Sequence, residues 1–184
     1  MSIKTIHLAA SIENDDYFHL ARLLVLLREF AGKNNRPVEG IMKLAKLDFL
    51  LRYPNCLARV LKNQNKEKLL NSIPLSDQNT IEAHMIRFRY GPWDSRYRKW
   101  IAILSGKDLV GTYIKGRTVF IALTESGQAI AEQLEMLSEY KQLIERSRMI
   151  KSCVGSYSAT KLKEYIYEVF PEITNMKWGK DIEL

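Results

Sequence analysis

The sequence predicts a mainly α-helical fold with a small β-sheet: a winged-helix-like core with helical extensions at both ends. Three observations lead there. Apolar residues recur at i, i+3 and i+4 through most of the chain, as amphipathic helices require. Between Ile86 and Gly127 the order is strand, turn, helix, hairpin and capped helix, which is the order of a winged helix. No internal repeat or low-complexity segment interrupts the pattern.

The elements follow in chain order. Asn14, Asp15 and Asp16 precede Tyr17, Phe18, Ala21, Leu24 and the apolar residues up to Phe30, so acidic groups sit at a helix's positive end. That helix should stop near Ala31-Gly32, and Arg36-Pro37 is a break because the residue before proline avoids helical geometry. A second helix is expected over 38–52. Ile41, Leu44, Leu47 and Leu51 line one face, Lys43 and Lys46 face water, and Asp48 can pair with Arg52 four residues on. Tyr53-Pro54 ends it. A short helix over 56–61 and a polar stretch over 62–68 follow, and 72–79 reads as the loosest part of the chain.

Residues 86–90 form the next strand, with His84, Ile86, Phe88 and Tyr90 on one face and Met85, Arg87 and Arg89 on the other. Gly91-Pro92-Trp93-Asp94 reads as a turn pinned by Trp93, with Asp94 capping a helix over 95–105. Tyr97, Trp100, Ile101 and Leu104 make its core stripe. Wing strands are expected over 109–114 and 118–123 about a Lys115-Gly116 turn. A helix from Thr124 uses Ile130, Leu134 and Leu137, another covers 143–154, and the last, over 160–170, carries Leu162, Tyr165, Ile166 and Val169. This divides the chain into a helical region over 1–75, a winged-helix-like segment over 76–127 and a helical region over 128–184, together one compact unit.

Composition bounds the function. With 46% hydrophobic and 10% aromatic residues the chain can bury a core, and its net charge of +7 steers it toward anionic partners. No stretch approaches the roughly 20 apolar residues that span a bilayer, and the first residues lack a signal-peptide pattern. Cys56 and Cys153 are isolated and read as buried thiols in a reducing, cytoplasmic setting.

Catalytic and cofactor signals are missing. His7, His19 and His84 are far apart, no His or Cys pair has metal-ligand spacing, and neither a phosphate loop nor a Gly-x-Ser-x-Gly elbow occurs. Neither an enzyme activity nor a cofactor is expected. The charge concentrates instead: Arg87, Arg89, Arg96, Arg98, Lys99, Lys107, Lys115 and Arg117 stand against Asp94 and Asp108. Of these, Arg87, Arg89, Arg96, Arg98, Lys99, Lys115 and Arg117 are candidates for contact with nucleic acid or an acidic protein partner, and a solvated face is the third reading. The helix offers no Asn or Gln outward, so phosphate contact without base reading is favoured. Met42, Phe49 and Leu50, which extend the apolar stripe of the second helix most of the way round, and Trp93 are candidates for docking a partner.

Four segments together resemble a known family. They are Lys43-Leu44-Ala45-Lys46-Leu47-Asp48-Phe49-Leu50-Leu51-Arg52-Tyr53-Pro54, then Arg89-Tyr90-Gly91-Pro92-Trp93-Asp94, then Leu123-Thr124-Glu125-Ser126-Gly127, and finally Leu162-Lys163-Glu164-Tyr165-Ile166-Tyr167-Glu168 with Phe170-Pro171-Glu172. In this order they resemble the middle component of ABC-three-component systems, the small accessory subunit of Lamassu-type antiphage defence complexes. The resemblance spans about residues 17–180. It implies a non-catalytic scaffold that works with an SMC-like coiled-coil ATPase, which senses invading DNA, and an effector nuclease. Non-specific DNA contact through the complex is one reading of the basic face, and the lack of an apolar span predicts no membrane partner. The competing reading is a free-standing winged-helix transcriptional regulator. Such a protein would normally present one long dimerising helix, whereas the charged stretch 135–149 breaks into shorter pieces.

Overall fold

A computed structural model describes residues 15–72 and 84–184. The expected loose stretch lies outside the described residues from position 73 to its end at 79. Helix α1 (Asp16–Ala31) opens on Asp15, whose carboxylate accepts from the backbone N–H groups of Tyr17 and Phe18. Strand β1 (Val38–Glu39), helix α2 (Ile41–Arg52) and helix α3 (Pro54–Asn63) follow. Strands β2 (Ile86–Phe88) and β3 (Gly91–Trp93) make a small hairpin. Helix α4 (Tyr97–Gly106) leads into β4 (Val110–Lys115) and β5 (Thr118–Leu123). The chain ends in α5 (Glu125–Met136), α6 (Lys141–Val154), α7 (Ala159–Val169) and α8 (Pro171–Asn175).

The larger sheet has the antiparallel order β1-β5-β4, with Val38 opposite Ile121 and Val110 opposite Leu123. The series α1, β1, α2, α4, β4, β5 is winged-helix connectivity, with α3 and the β2–β3 hairpin inserted between α2 and α4. The core therefore reaches back to α1 rather than beginning at residue 76. The expected hairpin forms, but its turn is Gly116-Arg117, one residue on, with Gly116 at φ 62° and Lys115 paired to Thr118.

Two expected elements changed type. Residues 38 and 39 do not start the helix, because they pair with β5 and the N–H of Gly40 donates to Val119 at 2.8 Å. Gly91-Pro92-Trp93 is a strand rather than a turn. It costs no hydrogen bond at Pro92, because the opposing Arg87 turns its N–H the other way, to Lys180, at 2.7 Å. The C-terminal residues thus line the free edge of β2, and Tyr53 locks them there: its hydroxyl accepts from the N–H of Met85 and donates to the carbonyl of Ile182.

Packing inverts other expectations. In β2 and the residues beside it, Met85 and Arg87 point inward while Phe88 and Tyr90 are exposed. Lys46 does not face water. It is 2% exposed, its stem lies against Gly91, and its Nζ donates to the Met42 carbonyl at 3.1 Å. On α5 the inward residues are Gly127 and Ala131, while Ile130 and Leu137 lie outside. Thr124 caps this helix by accepting from the N–H of Gly127, and a Cβ at position 127 would overlap the Leu109 carbonyl. The stripes on α4 and α7 are those expected, and Cys56 and Cys153 are buried and unpaired.

Candidate functional site

Two apolar helices carry charges into the core. Arg22 sits within the run Leu20–Leu27 of α1, and Asp48 within the run Leu44–Leu51 of α2; both are fully buried. They meet, with Arg22 Nε donating to Asp48 Oδ1 at 2.7 Å. Arg52, one turn on, donates to Asp48 Oδ2 at 2.9 Å through Nε, and its Nη1 donates to Asp94 Oδ2 at 2.8 Å. The Tyr97 hydroxyl on α4 completes Asp48, at 2.6 Å from Oδ2. Asp94 also accepts from Arg96 at the rim, at 2.8 Å and 3.0 Å.

Aromatic rings close the network. The guanidinium of Arg52 lies 5.4 Å from the Trp100 ring centre and 5.6 Å from that of Tyr97. His19 Nδ1 stands 2.7 Å from Arg22 Nη1, and Trp100 Nε1 donates to Asp16 at 2.8 Å. Burial disfavours the charge on Asp48, but Arg22 and Arg52 outweigh it and hold the carboxyl well below the usual carboxylate range. Burial likewise works against Asp94, yet the Arg96 hydrogen bond and the Arg52 charge bring it down to about 2. Burial and Asp48 push the Tyr97 hydroxyl up, so it remains a proton donor. Two carboxylates are thus neutralised by two guanidiniums, with Arg96 at the edge. Asp48 spends both carboxylate oxygens on partners from α1, α2 and α4, so the network ties these helices together.

The structure separates the candidates named from sequence. Arg87 cannot meet phosphate: it is 7% exposed, its Nε donates to the Ile173 carbonyl at 2.6 Å, and its guanidinium lies over Tyr167. Arg96 is half-buried on Asp94 and over the Trp100 ring, and Lys99 pairs with Asp16. Arg89, Arg98, Lys115 and Arg117 stay exposed. Phe49 and Leu50 are not docking residues, since both are fully buried and Phe49 packs edge-on against Phe170. Met42 is half-buried, as is Trp93, which lies between Phe88 and Tyr97.

The wing supplies what the sequence reading missed. Tyr113 stacks on Phe120 and is 51% exposed, and Ile114 beside it is 74% exposed, next to Lys115 and Arg117. Burial fades along β4, where only the first residue, Val110, is buried.

Among the described residues, no group of three or more His, Cys, Asp or Glu is arranged to hold a metal, and no helix is long and apolar enough to cross a membrane. No protein-family model, curated protein or solved structure matches this chain.

Proposed function

We propose that this chain is a non-catalytic, cytoplasmic subunit of a bacterial antiviral defence complex, holding an effector nuclease against an SMC-like coiled-coil ATPase. The observation that carries the reading is where the resembling segments meet. Asp48 and Arg52 of the first and Asp94 of the second join in one buried network. The residues behind the resemblance therefore brace α1, α2 and α4 into a rigid platform, which is what a bridging subunit needs. Outside that platform, Tyr113 and Ile114 set an aromatic and an aliphatic anchor beside the basic pair Lys115 and Arg117. Interface centres favour such aromatic anchors with basic neighbours.

Co-expression tests the reading. With an ATPase and a nuclease encoded beside it, the chain should co-purify through high salt, and Ile114→Asp with Tyr113→Ser should release one partner while leaving the fold unchanged. A gene neighbourhood without an SMC-like ATPase, or a complex that falls apart at low salt, overturns it.

A further inference from the structure

A cleft of about 900 Å³ opens between the α1–β1 connection, the first turn of α2 and the junction of α6 with α7. Its size falls within the range of about 300–1,000 Å³ typical of small-molecule sites. Four helix ends lie beside it, and three are already answered: Ser158 caps α7 by accepting from the N–H of Lys161. Lys151 donates to the Glu29 carbonyl and pairs with its carboxylate, and Lys66 donates to the carbonyl of Ser152. Lys33, Arg36 and Lys43 remain on the wall, with Glu39 the one carboxylate lining it among the described residues.

Lys43 is held against its own preference. It is half-buried, and burial lowers its pKa while Glu39 only partly compensates. It also lies in the first turn of α2, whose positive end repels a cation; that turn has no acidic residue and Gly40 offers no capping side chain. An anion in the cleft would offset both the burial of Lys43 and the repulsion it meets at that helix end. Phe30 and Pro37 give the same wall an apolar part.

We propose that this cleft binds a small organic phosphate of nucleotide size, with the phosphates on Lys33, Arg36 and Lys43 and the organic part against Phe30 and Pro37. No residue of β4 or β5 lines the cleft, and the proposal does not depend on the assembly role. The test is calorimetric titration of the full chain with ATP, adenosine and inorganic phosphate. ATP should bind saturably, with adenosine and inorganic phosphate each at least about tenfold weaker. Arg36→Gln with Lys43→Gln should weaken ATP by about tenfold or more, while Arg98→Gln with Arg117→Gln leaves it unchanged. Arg36 is exposed, so Arg36→Gln alone folds and should by itself weaken binding about threefold. No saturable binding at millimolar ATP, equal binding of inorganic phosphate, or indifference to the Arg36 change overturns the proposal.

Discussion

Asp48 and Lys115 are both charged residues of the winged-helix core, and they live under opposite rules. Asp48 has no exposed surface and is held by Arg22, Arg52 and Tyr97 from three different helices. Lys115 stands on an exposed hairpin end, in water on most sides. In the first case charge decides how helices fit together, because a buried ion without partners is costly. In the second it adds little to folding and is free to act on something else. A basic stretch in sequence therefore mixes two populations that only packing can separate.

The largest expected effect lies in the buried region. Asp48→Asn removes the charge that Arg22 and Arg52 share and leaves two guanidiniums buried without it, so stability should fall by about 3–5 kcal/mol. Urea denaturation measures this, and a loss below about 1 kcal/mol would mean the network is not closed in the way described.

Acid should reach the same lock. The folded-state pKa of Asp94 is depressed to about 2, and that of Asp48 lies below the usual range. A depressed carboxyl contributes stability that is fully present above its unfolded pKa, near 3.9, and is lost as pH falls through the folded value. The melting temperature should hold from pH 7 to about 4 and drop steeply toward pH 2. Adding salt at neutral pH should change it little, because buried pairs are poorly screened.

Much of this was legible from sequence, and the failures share a cause. Periodicity marked the stripes of α4 and α7 and the wing strands, because amphipathic elements on a surface advertise their inner face. It could not orient α1 and α2, which are buried on nearly all sides, so Lys46 was read as facing water, while the expected Asp48–Arg52 pair forms but lies inside the core. An arginine inside Leu20–Leu27 and an aspartate inside Leu44–Leu51 were the available signal, since each demands the other once both helices are inside. Arg87 misled for a related reason: alternation divides a half-buried strand into two faces without saying which is inner, and its charge made it a contact candidate. Its guanidinium instead lies over Tyr167, and the aromatics remain outside.

Two glycines extend the contrast to the backbone. Gly127→Ala places a methyl group on the Leu109 carbonyl where α5 meets the strand connection, and should cost about 1–3 kcal/mol through forced displacement. Gly116→Val meets no neighbour, and only its positive φ is strained, so about 1–2 kcal/mol is expected. Thermal melts of the two variants rank them. If Gly116→Val were the more damaging, the wing would be tied to the core more tightly than its exposure suggests.

The smallest effect on folding should come from the wing charges, and there the informative readout changes from stability to binding. Arg98, Lys115 and Arg117 are exposed, so replacing all three with Ala should alter stability by less than about 0.5 kcal/mol per site. Arg96 and Lys99 are left intact, because Asp94 and Asp16 use them to hold α4. If the face meets phosphates, DNA affinity of the assembled complex should fall similarly for unrelated sequences, and the log–log salt slope should shrink by about one unit per lost contact. If the face meets an acidic protein surface, DNA binding stays constant and assembly weakens instead. A triple variant that folds, assembles, binds DNA and protects cells like the parent would return these cations to a solvated face. The comparison would then stand between a region whose charges build the fold and one whose charges only keep it soluble.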